Sequence, residues 1–168
     1  MARRVIESEP TGETFTFDDE WNEADGRVRR ILYTLKPSKP VPSHSHPRTA
    51  QSFDVLSGRL NVKMNGRVQV LGPGERAKTG AGDIHCQWNE GPDIASVIES
   101  YDPPLAIEPF FTILPHAIAS ANPFKIAVFL ADFRAVSAPA TVGQRLFIAT
   151  FAPVGRLLGF GRWYAGLL

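Results

Sequence analysis

The chain has 168 residues, 18 basic and 17 acidic side chains and a formal charge of +1, enough for one domain with a real core plus an appendage. Near-neutral charge offers no electrostatic footprint for nucleic acid. The single cysteine, Cys86, excludes an intrachain disulfide framework and points to a reducing, cytoplasmic setting.

The first twenty residues lack the apolar stretch of a secretory signal, and no run of about 20 apolar residues suits an ordinary spanning helix. Charge is nevertheless uneven along the chain. Residues 1–26 hold eight acids against Arg3 and Arg4, while 109–168 hold five basic residues against Asp132 alone. The expected organisation is an acidic lead over 1–26, a β-rich domain over 27–108 and an apolar, basic, helical tail over 109–168.

In chain order, "RVRRILYTL" at 27–35 has the β-branched and aromatic character of a strand. "KPSKPVP" cannot continue as helix. "QSFDVL" alternates Phe53 and Val55 against Ser52 and Asp54, as a half-buried strand should. Asn65-Gly66 joins "GRLNVKM" to "RVQVL" and predicts a type I′ hairpin, whose two central residues need positive φ. "IHCQWN" and "IASVIESY" supply two more strands. Short strands broken by Gly and Pro mean antiparallel β structure rather than βαβ units. Beyond residue 108, Asn122-Pro123 reads as an N-cap with proline at the first helical position. Ile126, Phe129, Leu130 and Phe133 follow at helical spacing. Thr141 reads as the cap of a second helix, which Pro153 kinks or ends.

Two of the four histidines, His44 and His46, stand one residue apart. On a strand they share a face. Gln51 belongs to the inward phase of Phe53 and Val55, and His85 shares its phase with Gln87 and Asn89. Two antiparallel strands can therefore bring three imidazoles and an amide oxygen together. Neutral imidazoles suit a divalent transition metal such as zinc, iron, manganese or nickel, and three protein ligands leave positions open, as in catalytic sites. Gln51 can add a carbonyl oxygen. An HxH pair alone is a weak signal, and the same histidines equally serve as hydrogen-bonding pocket walls. His116, alone in "ILPHAIAS", reads as a surface or packing residue, Cys86 as a thiol turned away from the cluster, and Trp88 as a packing residue.

The full pattern resembles the two cupin motifs. His44, His46, Gln51 and Gly58 match the first in spacing, with glutamine where glutamate is usual. Gly74, Gly80, Gly82, His85 and Asn89 match the second, with glycine where proline is usual. Together with its acidic lead and apolar tail, the chain resembles a group of small bacterial cupins. The resemblance implies a mainly β fold, a jelly-roll β-barrel with the helical extension appended, and metal ligands His44, His46, Gln51 and His85. The barrel interior would offer Phe53, Val55, Gln87, Asn89 and Tyr33 to a small-molecule ligand, with no inward carboxylate. The implied activity is a metal-dependent dioxygenase or a cyclase/isomerase, the alternative being a non-catalytic ligand-binding module. The nearly all-round apolarity of 146–168 further predicts a homo-oligomer, or contact of residues 139–168 with the inner face of the membrane.

Overall fold

The computed structural model describes residues 3–22 and 26–168; two acids of the lead, Glu23 and Asp25, lie outside them. The strands are β1 (Arg4–Ser8), β2 (Glu13–Phe17), β3 (Arg29–Leu35), β4 (His44–Ser45), β5 (Ala50–Ser57), β6 (Leu60–Met64), β7 (Arg67–Leu71), β8 (Arg76–Thr79), β9 (His85–Trp88) and β10 (Ala95–Asp102). Helices α1 (Ile107–Ala119) and α2 (Pro123–Asp132), a short strand β11 (Ala138–Pro139) and helix α3 (Val142–Gly155) follow.

The strands form two antiparallel sheets, ordered β1-β2-β3-β10-β5-β8 and β11-β4-β9-β6-β7. This corrects the expected fold. Among the described residues no hydrogen-bonded pair joins one sheet to the other, so both are open and no closed jelly-roll barrel exists. The class is mixed β/α, with helices bundled on one side, rather than mainly β. Alternating polarity marks which face of a strand is buried, but carries no information on whether the outer strands meet.

Local chemistry explains the elements. Asn65 and Gly66 both take positive φ (46° and 87°), as a I′ hairpin between β6 and β7 requires. Gly58 sits at φ +73°, and a Cβ there would lie 2.6 Å from the Ile94 carbonyl oxygen, so only glycine fits. Asn122 caps α2 through its side chain, with Pro123 at the start. Thr141 caps α3 in a reciprocal box with Gln144. Helix α3 passes Pro153 and ends at Gly155.

One main core runs from the sheets into the helices. It holds Phe15, Ile31, Tyr33, Phe53 and Val97 from strands, and Phe110, Phe111, Ile113 and Phe129 from α1 and α2. The Phe15 and Phe111 rings stack at 4.1 Å. Helix α1 is also tied to the edge strand β1, since Arg4 donates to Glu108 (2.7 Å) and Thr112 (3.1 Å). Helix α3 leaves Val142 and Leu146 exposed. No described helix is long and apolar enough to cross a membrane.

Candidate metal centre

Strand pairing assembles the histidines. His44 on β4 lies directly opposite His85 on β9, and His46 follows two residues after His44, on the same side of the chain. Ring centroids are 4.5 Å apart for His44–His85, 5.1 Å for His46–His85 and 5.2 Å for His44–His46. One nitrogen from each ring lies within 4.8 Å of the others. His46 and His85 are buried; His44 is half-buried.

Each ring is oriented by a backbone carbonyl at Nδ1: Pro42 for His44 (3.0 Å), Val136 for His46 (2.5 Å) and Asp83 for His85 (2.9 Å). A carbonyl only accepts, so Nδ1 carries the proton in each ring and Nε2 keeps its lone pair. Burial and the neighbouring imidazoles push the His44 pKa down to about 3. Burial likewise lowers that of His85 to about 4 and depresses His46. All three rings are neutral at pH 7, the form that ligates metals.

Gln51 stands beside the three rings. Its Nε2 donates to the Tyr101 hydroxyl (2.9 Å), which donates to Glu99 Oε2 (2.6 Å). That chain turns Gln51 Oε1 toward the rings, 3.0 Å from His46 Nε2. Two lone-pair atoms thus face each other at hydrogen-bond distance. A shared cation resolves this contact, because adjacent ligands around an ion at about 2.1 Å stand about 3 Å apart. His85 Nε2 is buried without any partner, a second vacant donor atom. The residues present therefore fit a divalent metal, with backbone carbonyls as the outer support such sites use.

The motif region also matches a family model, "Cupin domain", over residues 31–101. Residues 31–101 form a cupin domain. The match ends at Tyr101, before α1, so the helices lie beyond the cupin segment. Germin-like protein subfamily T member 2 of Arabidopsis thaliana is 33% identical over 92 residues, 52% of this chain and 40% of that protein. Mannose-1-phosphate guanylyltransferase ManC of Salmonella typhimurium is 33% identical over 73 residues, 44% of this chain and 15% of that one. The matched regions thus span well under two thirds of either relative. Among solved structures, KdgF from Halomonas sp. superimposes with a TM-score of 0.51 at 20% identity, covering 60% of this chain and 87% of that one. The Schizosaccharomyces pombe Cnp3 cupin domain gives 0.51 at 12% identity, covering 60% and 68%. These two share the fold.

A cavity of about 270 Å³ opens from the cupin histidines. Its floor is polar: Glu13, His44, His46, Gln51, Gln87 and Tyr101. Its roof is apolar: Phe110, Phe111 and Leu114 of α1, Ile126 and Phe129 of α2, Phe147 and Ile148 of α3. Of the residues expected to line a pocket, only Gln87 does so. Phe53, Val55 and Tyr33 are packed in the core. Asn89 is spent on a turn, with its amide donating to the carbonyls of Leu35 (3.0 Å) and Asp93 (2.7 Å). His116 is exposed, and Cys86 is buried.

The expectation of no inward carboxylate is corrected by two residues. Glu99 is buried beneath Tyr101, and Glu13 lines the cavity while accepting from the Tyr33 hydroxyl (2.8 Å). Burial raises both pKa values, that of Glu99 to about 8. Glu13 was masked by its setting in a charge-rich lead, where an acid reads as solvated. Glu99 was nonetheless discoverable, since it shares the phase of Val97 and Tyr101 in "IASVIESY".

Proposed function

We propose that the chain holds a divalent transition metal through His44, His46 and His85, with Gln51 as a fourth donor, and that it rearranges a small organic molecule in the adjoining cavity. The reaction class is a cyclisation or isomerisation. The observation that carries this reading is the convergence of three neutral imidazoles, each held at Nδ1 by a backbone carbonyl, with Gln51 Oε1 3.0 Å from His46 Nε2.

When bound, the metal supplies a Lewis acid that polarises a carbonyl or enol oxygen, and four uncharged donors leave its charge undiminished. Tyr101 holds the Gln51 amide in the ligating orientation. Glu13 is the cavity-lining carboxyl, and the Tyr33 hydroxyl donates to its Oε1. Burial raises its affinity for a proton, which suits it to take or give one at its carboxylate oxygens during rearrangement. The apolar roof limits water at the floor, which strengthens both interactions.

Elemental analysis of the purified chain, with His44→Ala/His46→Ala as control, tests the metal assignment. About one metal per chain is expected, falling to trace levels in a double variant that keeps its β circular dichroism. Equal content in both proteins refutes the site. Oxygen uptake by the iron-loaded chain with a phenolic or enediol compound would replace rearrangement by the dioxygenase reading.

A further inference from the structure

The cavity's lining constrains what it takes, and the ligand class it favours rests on the metal-centred reading above only in placing the ligand's oxygen at the histidine end. Among the described residues no lysine or arginine lines the cavity. Its single carboxyl, Glu13, is hydrogen-bonded to Tyr33. Much of the lining polar capacity is already committed. Gln144 accepts from the backbone of Ala140 and Thr141 and donates to the Ser43 carbonyl. Gln51 and Tyr101 are joined to each other. A phosphate or sugar entering here would lose its water and find few replacement partners.

Beside the histidines, a further polar atom lacks a partner among the described residues. Gln87 is 7% exposed and lines the cavity, and its Oε1 is buried with no partner. An amide oxygen can only accept. It stands on β9 two residues after His85, hence on the same face. An unsatisfied buried acceptor carries a standing penalty that a ligand donor removes.

We infer that the ligand is an uncharged or singly ionised apolar molecule, aromatic or alicyclic, with a hydroxyl that donates to Gln87 Oε1 at its histidine end. Size follows from the space: at interior packing density the cavity of about 270 Å³ admits roughly ten to fourteen non-hydrogen atoms, below the usual drug-sized ligand. The phenyl rings of Phe110, Phe111 and Phe147 supply the roof against which such a body packs.

Calorimetric titration of the full chain, metal-free and zinc-loaded, with 2-naphthol, 2-methoxynaphthalene and glucose 6-phosphate tests this. The expected result is binding of 2-naphthol by both forms, at least about tenfold tighter than its methyl ether, with no heat from the sugar phosphate. Gln87→Leu should bring 2-naphthol down to the level of the ether. Leu114→Trp, which fills the cavity, should abolish binding of both; zinc content should be unchanged in each variant. Equal affinity for naphthol and ether, glucose 6-phosphate binding as tightly as naphthol, or full binding by Leu114→Trp overturns the inference. Should the chain take up no zinc and still discriminate naphthol from its ether through Gln87, the metal assignment falls and the ligand assignment stands.

Discussion

The floor and the roof of the cavity are built by different physics. The floor belongs mostly to the cupin segment: the register of β4, β5, β9 and β10 places His44, Gln51, Gln87 and Tyr101, with His46 just past β4. The roof comes from α1–α3, outside the matched residues 31–101, and is held by aromatic packing. Register fixes polar atoms to fractions of an ångström, as ligation needs. Aromatic packing fixes volume and dryness. The two regions are thus built separately: strand register places the polar groups, and helix packing supplies the apolar cover.

The strongest challenge to that separation is a roof truncation. Phe129 is fully buried, stacks on Phe110 at 5.1 Å and lines the cavity. Phe129→Ala should lose about 3–5 kcal/mol in urea unfolding, by lost burial and the hole left behind. The folded protein should retain its metal. Loss of metal from the still-folded variant would show that helices and strands act as one unit.

Gln51→Glu probes the floor alone. A carboxylate beside three imidazoles attracts a cation more strongly, so metal retention against a chelator should rise about tenfold or more. In the metal-free protein the same change sets a second acid close to Glu99, and the melting temperature should fall. A variant that holds metal no better than the parent would mean that residue 51 does not reach the ion.

The pH profile of the metal-free chain sharpens the contrast further. His44 and His85 titrate at about 3 and 4 when folded, against 6.5 when unfolded. Below 6.5 the unfolded chain binds the extra protons, so stability falls as pH drops toward 3. Glu99 is shifted the other way, to about 8. Its contribution is complete below 4.5 and lost as pH rises through 8. The two imidazoles His44 and His85 thus outweigh the one carboxyl of Glu99 between 4.5 and 6.5, while His46, lowered by burial, adds to the rise and Glu13, raised by burial, to the fall. Stability should therefore peak near pH 6.5, by denaturation at a series of pH values. Phe147→Ala, a roof change, should lower the curve without moving its peak.

What could be read from the sequence divides along the same line. The histidine set was legible because two short motifs and a period of two place its members on inner faces. Caps at Asn122 and Thr141 were legible because capping is local chemistry. Whether the sheets close was not, since edge pairing is decided by where distant strands stop. Nor was the roof: the apolarity of α1–α3 says that they must be buried, without saying against what. Phe53, Val55 and Tyr33 illustrate a subtler limit. Inward phase is shared by core and cavity residues alike, and only the position of the helices decides which wall a side chain meets.

The two halves nevertheless meet at one joint, where the smallest effect is the most informative. β11 pairs Ala138 with Ser45 and Pro139 with His44. Just before it, the Val136 carbonyl accepts from His46 Nδ1. Gln144 of α3 donates to the Ser43 carbonyl at 3.0 Å while closing the cap with Thr141. The helical region thus supplies one of the three carbonyls that orient the imidazoles. Gln144→Leu keeps the bulk and removes both functions. The cost should be only about 1 kcal/mol, typical of a lost cap and one hydrogen bond. Amide exchange should quicken at the start of α3 and at His44, whereas β5 and β10 stay protected. If metal affinity also falls severalfold, as outer support of a ligand commonly controls, the helices help aim the histidines. If affinity is untouched, β11 and Val136 suffice, and α3 serves only to cover the cavity.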